Sequence, residues 1–187
     1  CYNETQTIDA IIKRVKRAQP RAEMIVVDDG STDGTVDQLK RHEALGDIRY
    51  IQHAANKGKG SALATGFQHA TGDCVIIQDA DLEYDPADID AVIAPIMADE
   101  ADVVYGSRFC GKGRPKGCSR RSYWANRFLT FFSNWVMDLS LTDMETCYKA
   151  FRRPLIQRIC IEENGFGVEP ELTAKLARIT KKFREVP

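Results

Sequence analysis

No stretch of about eighteen or more apolar residues occurs in these 187 residues, so nothing reads as a membrane-spanning helix. The start lacks the basic-then-apolar pattern of a secretory signal. Charge of one sign is also missing. Twenty-six Lys and Arg face 27 Asp and Glu, a net charge of -1, and no global field invites nucleic acid. The six cysteines are scattered and none forms a C-x-x-C pair, which removes a zinc site and points to a reduced, cytoplasmic chain. The three histidines show no ligand spacing and receive no role. There is no G-x-x-x-x-G-K-[ST] phosphate loop, internal repeat or low-complexity segment. What remains is an ordinary globular balance, 43% hydrophobic and 28% charged, long enough for one domain with a sizeable core.

Acids gathered at strand ends are the main signal. Gly72-Asp73 is a turn, Val75 to Ile77 a short buried strand, and Asp79, Asp81, Glu83 and Asp85 follow. Alternate side chains of an extended chain point the same way, so Asp79, Asp81 and Glu83 are expected to converge. Three carboxylates held together repel unless a cation neutralises them, and Mg²⁺ and Mn²⁺ take such ligands, usually with substrate phosphates. The expectation is an Asp-X-Asp site for metal and nucleotide diphosphate; the bland alternative is a solvated acidic loop. The same arrangement occurs earlier. Met24 to Val27 is a strand that runs into Asp28-Asp29-Gly30-Ser31-Thr32-Asp33, with Asp33 expected to cap a helix from Thr35 to Glu43. In open α/β sheets, ligands sit beyond the carboxyl ends of the strands, where all these acids lie.

Strand and helix alternate along the chain, which predicts a mostly parallel sheet covered on both faces. Thr7 to Ala18 has Ile8, Ile11, Ile12 and Val15 at helical spacing. Ile48 to Gln52 is a strand. Asn56-Lys57-Gly58-Lys59-Gly60-Ser61 then opens a helix from Ala62 to Ala70, where backbone N–H groups and lysines suit phosphate, or form an exposed basic turn. Pro86 starts a helix to Met97, and Asp102 to Ser107 is a buried strand ending at Arg108. Leu141 to Arg153 reads as a turn with two acids, then a strand. Gly165 to Glu171 leads into a helix to about Arg178, and Lys182 to Val186 is a last strand.

Residues Phe109 to Arg121 change character: glycine-rich, with Lys112, Arg114, Lys116, Arg120 and Arg121, flanked by Arg108 and Arg127. Such a loop suits an anionic ligand, because Arg pairs with phosphate in two-pronged geometry; most charge runs are solvated surface. Tyr123 to Leu141 is a helix rich in Trp124, Phe128, Leu129, Phe131, Phe132, Trp135, Val136 and Leu139. Burial on two sides is the expectation for most of these, with a mixed role at a membrane interface for the Trp124 to Phe132 end.

Taken in order, Cys1-Tyr2-Asn3-Glu4, Val27-Asp28-Asp29-Gly30-Ser31-Thr32-Asp33, Asn56-Lys57-Gly58, Gly72-Asp73, Asp79-Ala80-Asp81, Gly106-Ser107-Arg108 and Thr142-Asp143-Met144-Glu145-Thr146-Cys147-Tyr148-Lys149 carry a family likeness. The chain resembles a family 2 glycosyltransferase of the GT-A fold, in the bacterial branch similar to dolichyl-phosphate mannose and glucose synthases. The resemblance implies an α/β, Rossmann-like three-layer sandwich with a mostly parallel central sheet. The family's first strand and the proline before its tyrosine motif are missing, so that strand is expected to be truncated. The chain also stops at Pro187, ahead of a segment that carries membrane helices in many relatives. One catalytic domain is implied over 1–187, with a nucleotide-binding part at about 1–107 and an acceptor part at about 108–187.

The implied roles follow residue by residue. Tyr2, Glu4 and Asp29 would line the nucleoside pocket, supported by Asp28, with Lys57 and Ala80 at the donor. Asp79 would lie near ribose and metal. Asp81, helped by Glu83, would ligate Mg²⁺ or Mn²⁺ on the diphosphate of a UDP- or GDP-linked sugar. Arg108 and Arg121 would hold the acceptor or transferred phosphate, near Arg120 and Arg127, and Asp143 would face sugar or acceptor. A single in-line displacement would invert the anomeric centre. An alcohol acceptor needs a base, for which Asp143 and Glu145 are the candidates. A polyprenyl phosphate, already ionised, needs cations instead. The basic cluster favours a dolichyl- or undecaprenyl-type phosphate, at the inner face of the plasma membrane with peripheral membrane contact. A saccharide hydroxyl in cell-wall or polysaccharide synthesis is the alternative acceptor. A sugar-nucleotide nucleotidyltransferase and a signalling receiver domain are the competing readings; the receiver is too short for this chain.

Overall fold

The computed structural model describes residues 1–110, 119–165 and 167–187. Most of the basic loop expected at 109–121 lies outside the described residues. The elements follow in the order α1 (Ile8–Ala18), β1 (Ile25–Asp28), α2 (Thr35–Ala44), β2 (Arg49–Gln52), α3 (Lys59–His69), β3 (Cys74–Ile76), α4 (Ile89–Met97), β4 (Val103–Gly106), α5 (Arg120–Met137), β5 (Lys149–Arg152), α6 (Arg153–Ile156), α7 (Val168–Ala177) and β6 (Phe183–Val186), with β-branched runs forming β1, β3 and β4. A 3₁₀ turn at Pro86–Asp88 leads into α4, capped by the Asp85 carboxylate, which accepts from the Ala87 N–H.

The strands form two sheets. β1 and β2 pair in parallel, Ile25 opposite Arg49. The other sheet has the order β3-β5-β4-β6. There β3, β4 and β6 run one way, and β5 lies between β3 and β4 running against both. That antiparallel insertion makes the sheet mixed. It also brings chain from after residue 107 between two strands from before it, so the two parts of the sequence share one sheet.

Alternation along β4 builds the three layers. Val103 and Tyr105 face one side, where Phe67 of α3, Phe151 of β5 and Val168, Leu172 and Leu176 of α7 complete a core. Val104 faces the other side and meets Ile89, Val92 and Ile96 of α4. A third cluster joins Ile8, Ile11, Ile12 and Val15 of α1 to Leu39 of α2 and to Ile48. Cys1 adds a ladder step on the far edge of β1: its N–H donates to Val27 O at 2.7 Å and its carbonyl accepts from Asp29 N at 2.8 Å.

Two expectations change here. Asp33 sits one residue ahead of the cap of α2, which is Gly34; its carboxylate accepts from Thr35 N at 2.9 Å. The larger change is α5. Its large apolar residues are not buried on two sides: Trp124, Phe128, Phe131 and Trp135 are 70%, 69%, 71% and 76% exposed, and its buried residues are Asn126, Thr130 and Ser133.

Candidate functional site

The C-terminal ends of β1, β2, β3 and β4 and the start of β5 meet along one edge. At β1, Asp28 and Asp29 are both buried. Asp28 accepts from Ser31 N and so closes its own loop. Asp29 accepts from His53 Nδ1 at 2.7 Å, from Lys57 N at 3.0 Å and from Gly58 N at 2.7 Å. His53 is braced in turn by Thr65 Oγ1 at 2.9 Å. Burial pushes the Asp29 carboxyl up, but the His53 and backbone bonds outweigh it and hold it below the ordinary carboxylate value. Both acids, expected at the nucleoside pocket, also tie their loops together. The N–H groups of Lys57 and Gly58, expected at a phosphate, already serve Asp29, and Gly60 N serves Asn164 O. The Lys57 side chain is exposed. An open cleft of about 390 Å³ lies beside this cluster, lined by Gly30, Ser31, Thr32, Gln52, His53 and Ala54. Tyr2 is 46% exposed, and the Glu4 backbone N–H is tied to Thr35 Oγ1.

Beyond β3 the chain does not stay extended. Leu82 has φ 64°, and Asp81 accepts from Glu83 N at 3.0 Å, which breaks the simple alternation expected of Asp79, Asp81 and Glu83. Among the described residues no three His, Cys, Asp or Glu side chains form a ready metal cage. Asp81 and Glu83 are exposed, and Ala80 packs with Leu82 against the α1–α2 core. Asp79 is held by Lys59 Nζ at 3.1 Å. Lys59 also meets Glu169 at 3.1 Å, and Glu169 pairs on its other oxygen with the fully buried Lys149, whose ammonium also donates to Thr146 O and lies 5.1 Å from the Tyr105 ring centre. Burial lowers the Lys59 pKa, but Asp79 and Glu169 outweigh it and hold it above the ordinary lysine range. The row Lys149, Glu169, Lys59, Asp79 thus carries alternating charge from the core to the strand edge.

The acceptor end is built on β4. Arg108, just past Gly106, makes a two-pronged pair with Asp143: Nε to Oδ2 at 2.7 Å and Nη2 to Oδ1 at 2.9 Å, with Arg108 N adding a third bond at 3.2 Å. Asn126 of α5 donates to Oδ1 at 2.9 Å. Asp143, expected to face sugar or acceptor, is fully buried with both oxygens engaged twice. Its role is to orient Arg108. Arg108 also lies over the Phe109 ring, which packs edge-on against Tyr123 in the first turns of α5, near the exposed Arg120 and Arg121.

The segment 141–148 joins the two ends. Glu185 of β6 accepts from Thr142 N and Asp143 N; Thr130 Oγ1 accepts from Met144 N; Asn134 exchanges two bonds with Leu141; Tyr84 OH accepts from Cys147 N. Burial pushes the Glu145 carboxyl above its ordinary value, with Glu169 and Asp143 adding to this against Lys149 and Arg108. His53, Glu169 and Glu185 receive no role in the sequence reading; Lys59 is expected there at phosphate, and Lys149 only closes a family motif. Their partners lie in other elements, and no local spacing marks them.

A model of glycosyl transferase family 2 matches residues 1–160. An undecaprenyl-phosphate mannosyltransferase of Micrococcus luteus is 30% identical over all of this chain and 79% of its own length. A polyprenol monophosphomannose synthase of Mycolicibacterium smegmatis is 28% identical over all of this chain and 73% of its length. Among solved structures, glucosyl-3-phosphoglycerate synthase of Mycobacterium tuberculosis, in complex with Mn²⁺, UDP and glucosyl-3-phosphoglycerate, superposes with a TM-score of 0.76 at 21% identity. The match covers all of this chain, which spans 66% of that one. It shows a shared GT-A fold.

Proposed function

Because the chain belongs to glycosyl transferase family 2, we propose that it moves a hexose, with inversion, from a UDP- or GDP-linked sugar to a polyprenyl phosphate at the inner face of the plasma membrane. One observation carries the acceptor class: Arg108 stands at the strand edge, clamped by a buried Asp143 and adjoining the cationic start of α5. A guanidinium fixed in this way suits a phosphate. Both named relatives act, by their names, on polyprenyl phosphate or polyprenol.

A phosphate acceptor is ionised at neutral pH, its second pKa being about 6. One of its oxygens forms a bond to the anomeric carbon while the bond to the diphosphate oxygen breaks and the nucleoside diphosphate leaves. Lys59, fixed between Asp79 and Glu169, presents positive charge on the donor side without reorganising. Asp81, exposed and with one oxygen engaged by Glu83 N, suits Mg²⁺ or Mn²⁺ completed by diphosphate oxygens, since such ions use one or two carboxylates plus phosphates. When bound, the ion supplies charge against the leaving diphosphate. Residues 1–107 serve the donor and 108–187 the acceptor, within one catalytic unit.

A second reading, transfer to a saccharide hydroxyl, is favoured by the raised carboxyl of Glu145, which suits a general base. The test is transfer from UDP- and GDP-hexoses, with Mn²⁺ or Mg²⁺, to a short-chain polyprenyl phosphate and to a saccharide. Transfer to the phosphate that survives Glu145→Gln and is lost in Asp81→Ala supports the proposal. Transfer only to the saccharide, lost in Glu145→Gln, replaces it with the second reading.

A further inference from the structure

Helix α5 is inside out. Its inward face is a polar ladder: Asn126, Thr130 and Asn134, four residues apart, bond in turn to Asp143, Met144 and Leu141. Ser133 is buried beside them. Thr130 and Asn134 satisfy backbone groups of Met144 and Leu141 ahead of β5, and Asn126 the Asp143 carboxylate, so the inner stripe is polar. The apolar residues are left outside. Trp124, Phe128, Phe131 and Trp135 fall at i, i+4, i+7 and i+11, one continuous stripe over most of a helix about 27 Å long. Phe132, Val136 and Leu129 widen it, at 54%, 59% and 45% exposed. An apolar stripe of this extent marks an interaction surface rather than scattered surface hydrophobics.

Its chemistry selects the occupant. The helix carries Arg120, Arg121 and Arg127 and no acid. A second copy of the same helix would bring only arginines against arginines. It would also place Trp and Phe at seam positions where close helix pairs use Leu, Ile or Val. Trp and Phe between arginines on one face, on a helix not apolar enough to cross a membrane, are instead the composition of a helix lying in the plane of an anionic bilayer interface.

Resting on the lipid-phosphate reading, we propose that the Trp124, Phe128, Phe131 and Trp135 stripe of α5 docks on an anionic lipid bilayer, with Arg120, Arg121 and Arg127 at the level of the lipid phosphates. Docking there presents Arg108 to a phosphate at the membrane surface, because Asn126 ties α5 to the carboxylate that orients Arg108.

The sequence holds two tryptophans and both lie on this stripe, so intrinsic fluorescence reads the surface directly. Vesicles of phosphatidylcholine with phosphatidylglycerol are added to the chain, and vesicles of phosphatidylcholine alone serve as the comparison. The expected result is a shift of emission to shorter wavelength with the anionic vesicles, quenching by brominated lipid tails, and weakening by salt. Phe128→Glu and Phe131→Glu each lower vesicle affinity about tenfold or more. Circular dichroism and thermal unfolding of these variants match the parent, since both side chains are mostly solvent-exposed. No shift of the parent chain with either vesicle overturns the proposal. So does a shift that follows protein concentration without vesicles, which means that a second copy covers the stripe. Transfer to a short-chain polyprenyl phosphate in detergent without vesicle binding defeats the docking surface and leaves the lipid-phosphate reading standing. Vesicle binding without transfer to any polyprenyl phosphate defeats that reading alone.

Discussion

Asp143→Asn isolates the clamp on Arg108. The carboxylate has no exposure, and each oxygen accepts two bonds: Arg108 N and Nε on Oδ2, Arg108 Nη2 and Asn126 Nδ2 on Oδ1. The amide keeps the shape but turns one acceptor into a donor, so two N–H groups then face an NH₂. It also removes the charge opposite the guanidinium. Breaking a buried pair by removing one partner costs about 3–5 kcal/mol. The Arg108 side chain is 35% exposed and regains water, which favours the lower end, about 3 kcal/mol. For a domain of this size that is a fall in Tm of roughly 6–12 °C. The assay is urea unfolding at pH 7 of Asp143→Asn, Arg108→Met and the double variant. The cycle should return a coupling of about 2 kcal/mol between the two sites. Alongside it, acceptor KM should rise more than kcat falls, because a mispointed Arg108 still leaves the donor side intact. A coupling under about 0.5 kcal/mol, or an unchanged acceptor KM, refutes the assignment of Asp143 as the residue that orients Arg108.

Three further outcomes follow from the geometry. Glu169→Gln removes the carboxylate charge opposite the buried Lys149 ammonium and should cost about 3–5 kcal/mol in thermal or urea unfolding; a loss under about 1 kcal/mol contradicts the charge row. A Cβ on Gly60 overlaps the Glu163 carbonyl oxygen while one on Gly165 meets nothing within 4 Å, so Gly60→Ala should lose about 1–3 kcal/mol and Gly165→Ala stay within about 1 kcal/mol of the parent, both read by urea midpoint. Asp29 has a depressed carboxyl, so its contribution is present above the unfolded value and is lost as pH falls through the folded one. Stability of the parent should drop below about pH 4, whereas Asp29→Asn should be weaker by about 2–3 kcal/mol at pH 7 and show a shallower acid limb in unfolding at stepped pH.

Much of the fold was legible because its signals are local. The spacing of Ile8, Ile11, Ile12 and Val15 describes a helix with one buried face, and all four are buried. Strand-end acids were legible for the same reason, since a strand, a turn and a cap lie within a dozen residues. The misreadings are non-local. Apolar spacing on α5 tells which residues share a face but not which face meets the protein; the signal for that was the polar stripe Asn126, Thr130 and Asn134. Lys149 read as an ordinary strand residue, because its counter-charge Glu169 arrives from α7, 20 residues on. His53 gave no ligand spacing because its partners are a carboxylate on β1 and a hydroxyl on α3. The bonds from Lys57 and Gly58 to Asp29 were not legible either, because those N–H groups come from a loop 28 and 29 residues on.

The two cationic positions answer an electrostatic difficulty in the proposed reaction. A donor diphosphate and an acceptor phosphate repel, yet both must approach one anomeric carbon. A mobile cation between them would collapse onto the diphosphate, which carries more charge, and leave the acceptor unpaired. Here neither cation is mobile. Lys59 is pinned on the donor side by Asp79 and Glu169, and Arg108 on the acceptor side by Asp143. The segment 141–148 keeps them apart because its backbone is secured by Glu185 of β6, Thr130 and Asn134 of α5 and Tyr84 of the loop after β3. Lys59 already faces two carboxylates and Arg108 one, so an incoming phosphate would add an anion around a cation that is fixed in place. The cations therefore need not move when charge shifts from acceptor to leaving group, and fixed charges stabilise such a transfer better than charges that must reorient.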